Sequence, residues 1–143
     1  MARRSGRSAG RAIVAFSAIC AHKLAYPTRE VSFIRYQAEP SATADNRVIH
    51  CCADHSVYDP ASGARVLSGP APQPLAAILL EYDAPTDGLA AVGTLGAEQF
   101  DAFFAKYEFK LALDHGQGKA RRPVGATTVV REIAQYCRQT VQC

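Results

Sequence analysis

The chain has 143 residues, enough for one domain with a core that needs no covalent staples. Apolar residues make up 48% and charged residues 20%, a balance that excludes global disorder. The net charge of +3 is small, and the basic excess gathers at Arg3, Arg4, Arg7 and Arg11 and in KARR at 119–122. Such ends read as solvated rather than as a nucleic-acid surface. No stretch reaches the roughly 18 apolar residues of a membrane span.

The N-terminal MARRSGRSAGRAIVAFSAICAH imitates a secretory signal, with a basic start before an apolar run. The same run, AIVAFSAI (12–19), also reads as a buried strand that delivers Cys20 at its end, and that reading is preferred. EVSFIRY (30–36) alternates as a strand, EPSATADN (39–46) is a polar loop, and RVIHCC (47–52) is a short strand. YDPASGARV (58–66) carries turn chemistry and leads into a strand at 65–67. GPAPQP (69–74) is a stiff loop that cannot be helical. LAAILLEYD (75–83) and LAAVGTL (89–95) are strands joined by the turn APTDG. Strands this short and this closely spaced predict a small β-sandwich.

After Gly96 the period changes. Phe100, Phe103, Phe104, Tyr107 and Leu111 recur at helical spacing, predicting a helix over 97–108. DHGQGKARRPVG (114–125) reads as a linker, and ATTVVREIAQYCRQTV (126–141) as a second helix. The fold class is therefore mainly β with one or two C-terminal α-helices. The expected division is 12–95 for the β domain and 96–143 for a helical extension.

Two short stretches pair cysteine with histidine: Cys20-x-His22 and Cys52-x-x-His55. Three readings are open. The residues could be unrelated core cysteines and surface histidines. They could form a structural zinc site, whose tetrahedral geometry suits two Cys and two His. Or they could hold a mixed-ligand [2Fe–2S] centre, with two Cys on one iron and two His on the other. Zinc fingers place their cysteines together and their histidines together. Here each loop supplies one of each, as a binuclear cluster gripped by two loops requires.

The residues around these ligands carry a resemblance. CAHKLAYP, followed by CADHSVYDPASGARVLSGPAPQPL, resembles the Rieske iron–sulfur family in both cluster-binding loops and in a third, proline-rich loop. It spans roughly residues 12 to 95. The resemblance implies one [2Fe–2S] cluster per chain, with Cys20 and Cys52 as thiolate ligands and His22 and His55 as imidazole ligands. A match without a gap would put Cys51 and Asp54 in the ligand positions instead. Cys52-x-x-His55 is preferred because it keeps both ligand types, and strand alternation would then turn Cys51 into the core. By the same resemblance Ser56 and Tyr58 donate hydroxyls to sulfur, although ordinary strand packing also explains Tyr58. Gly69 and Pro70 open the loop that covers the cluster. The family fold is a β-sandwich base bearing a small cluster-binding subdomain.

Departures from the family pattern narrow the expectation. Quinol-oxidising members brace the tip with a disulfide, whose positions here read as Ala25 and Asp54; the sequence is closer in flavour to arsenite oxidase small subunits. Cys137 and Cys143 could close a disulfide elsewhere or stand as free thiols. The expected function is one-electron transfer as a subunit of a respiratory or other oxidoreductase complex, not stand-alone catalysis. Its redox partner would be a cytochrome, or a molybdopterin-type or quinol-oxidising subunit. Alternatives are a soluble ferredoxin supplying a ring-hydroxylating dioxygenase, or a zinc-stabilised interaction module. The family implies a periplasmic or membrane-associated setting, reached through a partner or an N-terminal anchor that this sequence does not show. With 19 residues before Cys20, the sheet is expected to be completed by a longer N-terminus, a partner or the C-terminal tail.

Overall fold

The computed structural model describes residues 13–28, 30–40, 47–137 and 139–140. It is mainly β, with antiparallel sheets and a few short helices, as the strand spacing predicts. In chain order the strands are β1 (Ala15–Phe16), β2 (Val31–Ser32), β3 (Ile34–Gln37), β4 (Val48–Cys51), β5 (Val57–Asp59), β6 (Arg65–Ser68), β7 (Ala77–Asp83) and β8 (Gly88–Leu95). They are followed by helices α1 (Ala97–Lys106), α2 (Glu108–His115) and α3 (Ile133–Tyr136), and by β9 (Gln139–Thr140).

One sheet has the order β3-β4-β5-β6, all antiparallel. Its centre is β4, whose four residues are all buried; a Val-Ile-rich segment paired on both sides is where such burial is expected. Asp59 ends β5 by accepting a hydrogen bond from Ala61 N–H, with Pro60 opening a 3-10 turn and Gly63 closing it at φ 69°. A second sheet, β1-β7-β8, is a long hairpin with β1 laid antiparallel along β7, Ala15 opposite Ile78. The third is a short parallel pair, β2 with β9, so that the C-terminal segment returns to the strand beyond the first loop. The main core cluster is Cys20, Ala21, Ile49, Cys51, Tyr58, Ala64, Ala71 and Leu75. Two cysteines and a tyrosine thus lie at its heart.

The structure corrects several sequence expectations. The strand expected over 12–19 is only Ala15–Phe16 within the described residues. The one expected over 30–36 is broken at Phe33, where Ser32 turns its hydroxyl onto Ile34 C=O. Tyr58 and Asp59, which open the stretch read as turn, instead belong to a strand, Val57–Asp59, whose first two residues are buried. The first helix stops at Lys106 and a second follows at once, so the aromatic stripe is shared between α1 and α2. The helix expected over 126–141 shrinks to Ile133–Tyr136. Thr127, Thr128, Val129 and Val130 form a β-branched run with poor helix propensity, and no core covers it: Val130 is 92% exposed.

Candidate metal centre

Cys20 lies just beyond β1, and the chain then turns tightly: Leu24 N–H bonds Cys20 C=O at 3.0 Å and Lys23 N–H approaches Cys20 Sγ at 3.4 Å. The second loop closes the β4–β5 hairpin. Cys51 N–H bonds Ser56 C=O and His55 N–H bonds Cys51 C=O, both at 2.8 Å. Inside this turn Asp54 Oδ1 accepts Ser56 N–H at 2.9 Å, a local carboxylate–backbone turn. That bond fixes the carboxylate so that its other oxygen faces the first loop. Oδ2 lies 3.0 Å from Cys20 Sγ and 3.3 Å from His22 Nδ1.

The third loop holds Ser56 in place from the other side. Ala71 N–H donates to Ser56 Oγ at 3.1 Å, and a Cβ on Gly69 would meet Ser56 Cα at 2.5 Å. Gly69, at φ 92°, is therefore required twice over, by conformation and by space. The loop GPAPQP packs beside the second donor loop, as the sequence implies.

Donor atoms of Cys20, Cys51 and Asp54 lie within 4.8 Å of one another, all three residues buried, in an arrangement that could hold a metal ion. His22 joins them through Nδ1 with its side chain 42% exposed, giving the group one face toward solvent. The electrostatics are those of crowded acids. The Cys51 thiol, hydrogen-bonding toward Cys20, holds Cys20 below the ordinary thiol range against the effect of burial. Cys51 is pushed far up in turn, by Cys20 first and by burial second. Burial acts to raise Asp54, yet hydrogen bonds from Cys20, Ser56 and Cys51 outweigh it and hold the carboxyl low.

Two observations test whether such a site fits a metal group. Deprotonated to bind a metal, the two thiols and the carboxylate would be three negative charges sealed in a core, a set that a cation neutralises, and soft sulfur with imidazole is an iron or zinc donor set. Independently, Tyr58 is fully buried and its hydroxyl proton finds no acceptor among the described residues. Its phenol is raised by burial and then by Cys20, Asp54 and Cys51, which places it in the field of the site. An orphaned buried hydroxyl costs about 1–3 kcal/mol. A ligand sulfur or sulfide at the site would take its proton as acceptor. The residues present fit.

Of the four ligands expected from sequence, the structure brings Cys20 and His22 to the site. It does not bring Cys52 and His55. Cys52 is disulfide-bonded, and Cys20, Cys51 and Cys137, all free, are not its partners. His55 is exposed, in the left-handed region at φ 62°. The places assigned to them are taken by Cys51 and Asp54. The reason is register. Cys51 is the last residue of β4, opposite Ile34, and faces inward; its neighbour Cys52 leaves the sheet, bonding Phe33 C=O through its N–H. The inward turn expected of Cys51 is correct, but inward is where Cys20 lies. The ungapped match was the signal for both residues. Cys137 is free and buried, so it forms no disulfide with Cys143, which lies outside the described residues. His50 is buried beside Arg35, and its Nε2 has no hydrogen-bond partner among the described residues.

No family model and no curated protein matches this chain. Among solved structures it is similar to the soluble domain of the Rieske protein II from Sulfolobus acidocaldarius. The identity is 35% over 55% of this chain and 39% of that one, with a TM-score of 0.41. The chain thus spans about two fifths of the length of the structure it matches.

Proposed function

We propose that this protein transfers single electrons through one [2Fe–2S] cluster gripped between its two donor loops. The observation that carries the reading is the convergence of Cys20, Cys51, Asp54 and His22 from two loops into one core-lined site. The order of the loops in the sequence, each with its Cys first, supports it. The bound cluster would supply a centre that accepts and returns one electron at a time. Cys20 and Cys51 would hold it as thiolates, and His22 as an imidazole. Tyr58 would donate its hydroxyl to a sulfur and favour the reduced form.

The protein's own part is to bring the donors of both loops to one place, where Cys20 and Asp54, in hydrogen-bond contact with each other, would part to admit the cluster, and to keep water from all but one side. Cys20, Cys51, Ser56 and Tyr58 are essentially inaccessible, and His22 alone of the donors is substantially exposed. A redox partner, whether a cytochrome or an oxidoreductase subunit, would approach that face, where the path for the electron is shortest. Among the described residues no helix is long and apolar enough to cross a membrane. A periplasmic or membrane-peripheral setting belongs to the same proposal.

The tightness of the site favours one second reading. Donors within 4.8 Å of one another also suit a single tetrahedral zinc ion. Metal and sulfide analysis of protein purified without oxygen separates the two. The cluster reading expects about two irons and two acid-labile sulfides per chain, a red-brown colour, and a rhombic EPR signal on reduction. Stoichiometric zinc without sulfide would sink it.

A further inference from the structure

We infer that Asp54 is the fourth ligand, so that the iron not held by thiolates is bound by one imidazole, His22, and one carboxylate. This rests on the cluster reading above and specifies its chemistry. The Asp54 side chain is 1% exposed, with Oδ2 at 3.0 Å from Cys20 Sγ and 3.3 Å from His22 Nδ1. Its other oxygen is engaged by Ser56 N–H, which sets the direction of the free one. Hydrogen bonds hold the carboxylate beside protonated thiols, but once Cys20 and Cys51 lose their protons to bind a metal it becomes a third negative charge in a sealed site, and something positive must neutralise all three. A neutral imidazole does not; ferric iron does, and oxygen is a hard donor that suits it.

His55 is excluded by the same turn that favours Asp54. Its N–H is fastened to Cys51 C=O, its backbone is left-handed, and its side chain stands in solvent. Bringing that imidazole inward would break the hairpin bonds on either side of Asp54. The consequence is electrostatic. An anionic carboxylate in place of a neutral imidazole adds one negative charge to the centre and makes an added electron less welcome. The site should therefore have a lower midpoint potential than the same site with two imidazoles.

The decisive experiment counts nitrogens. Reduced wild-type protein, grown with 15N-histidine, is examined by pulsed EPR. One imidazole nitrogen coupled to the cluster is expected, lost in His22→Ser and unchanged in His55→Ala. Asp54→His should gain a second nitrogen coupling and shift the midpoint potential upward. Two imidazole nitrogens in the wild type, one of them lost in His55→Ala, would overturn the assignment of Asp54. If Asp54→His does not load, the wild-type count still decides. Wild-type protein lacking iron and sulfide altogether would overturn the cluster reading itself, a different result from a two-nitrogen cluster.

Discussion

The two donor loops reach the same site by different means. The second is shaped largely from within: a hairpin turn closed by Cys51–Ser56 and His55–Cys51 backbone bonds, with Asp54 as its internal brace and Gly69 pressed against its end. Cys52 also ties it outward, through its disulfide and its N–H to Phe33 C=O. The first depends on residues far along the chain. Lys23 C=O accepts Lys106 Nζ at 2.6 Å, and Lys23 Nζ reaches Ala53 C=O at 3.0 Å. Tyr26 packs its ring against Phe103 and Tyr107, centroids 5.7 and 5.0 Å away, and bonds Asp114 through its hydroxyl. The C-terminal helices are thus a strut for the first loop. The turn of the second loop is set mainly by residues 51–71, whereas the first needs the helices to be folded and docked. Local turn chemistry fixes one jaw of the site, and tertiary packing fixes the other.

The comparison breaks most sharply at Gly69. A Cβ there would meet Ser56 Cα at 2.5 Å on a backbone at φ 92°. Gly69→Ala should cost about 2–4 kcal/mol, from strain and a backbone collision together. Urea denaturation reads this directly, and a loss below about 0.5 kcal/mol, the range of ordinary surface changes, would mean the third loop is not seated on the second.

Phe103→Ala attacks the other jaw. Phe103 is 6% exposed and touches Tyr26, Phe104 and Tyr107. Its truncation should cost about 3 kcal/mol. More tellingly, amide exchange should accelerate around 20–28 while the 51–56 turn keeps its protection. Equal acceleration in both loops would refute the strut.

The smallest effect sharpens the site rather than the scaffold. Tyr58→Phe removes a buried hydroxyl whose proton has no acceptor among the described residues, so metal-free protein should be unchanged or up to about 1 kcal/mol more stable. In loaded protein the same change should lower the midpoint potential by removing a hydrogen bond to sulfur. A potential that does not move would return Tyr58 to packing alone.

These differences explain what the sequence made legible. The strands β4, β6, β7 and β8 are visible in their apolar runs and flanking turns, and Cys20 and His22 lie together at the candidate site, because a short local motif needs no register. In the second loop the residues beside Cys20 are Cys51 and Asp54, each one position before the Cys52 and His55 expected from the sequence. Cys51 and Cys52 are adjacent and chemically identical, so composition cannot tell them apart; only the pairing of Cys51 with Ile34 shows which faces inward. Asp54 is harder to single out from sequence, since a carboxylate in a hairpin loop reads as ordinary turn chemistry, which the Asp-x-Ser spacing supplies. The helix expected beyond 126 failed for a propensity reason already present in its β-branched run, against which the apolar spacing of Val129, Val130 and Ile133 weighed too heavily. The link between Tyr26 and the helices lies between residues too distant in sequence for any local pattern to reveal.

The central claim is that the inward-facing cysteine of the second loop, not its outward neighbour, completes the centre. Its most direct test compares iron and acid-labile sulfide in Cys51→Ser and Cys52→Ser proteins, purified without oxygen beside the wild type. Loss of both from Cys51→Ser and their retention in Cys52→Ser is the predicted result. Retention in Cys51→Ser with loss in Cys52→Ser would contradict it.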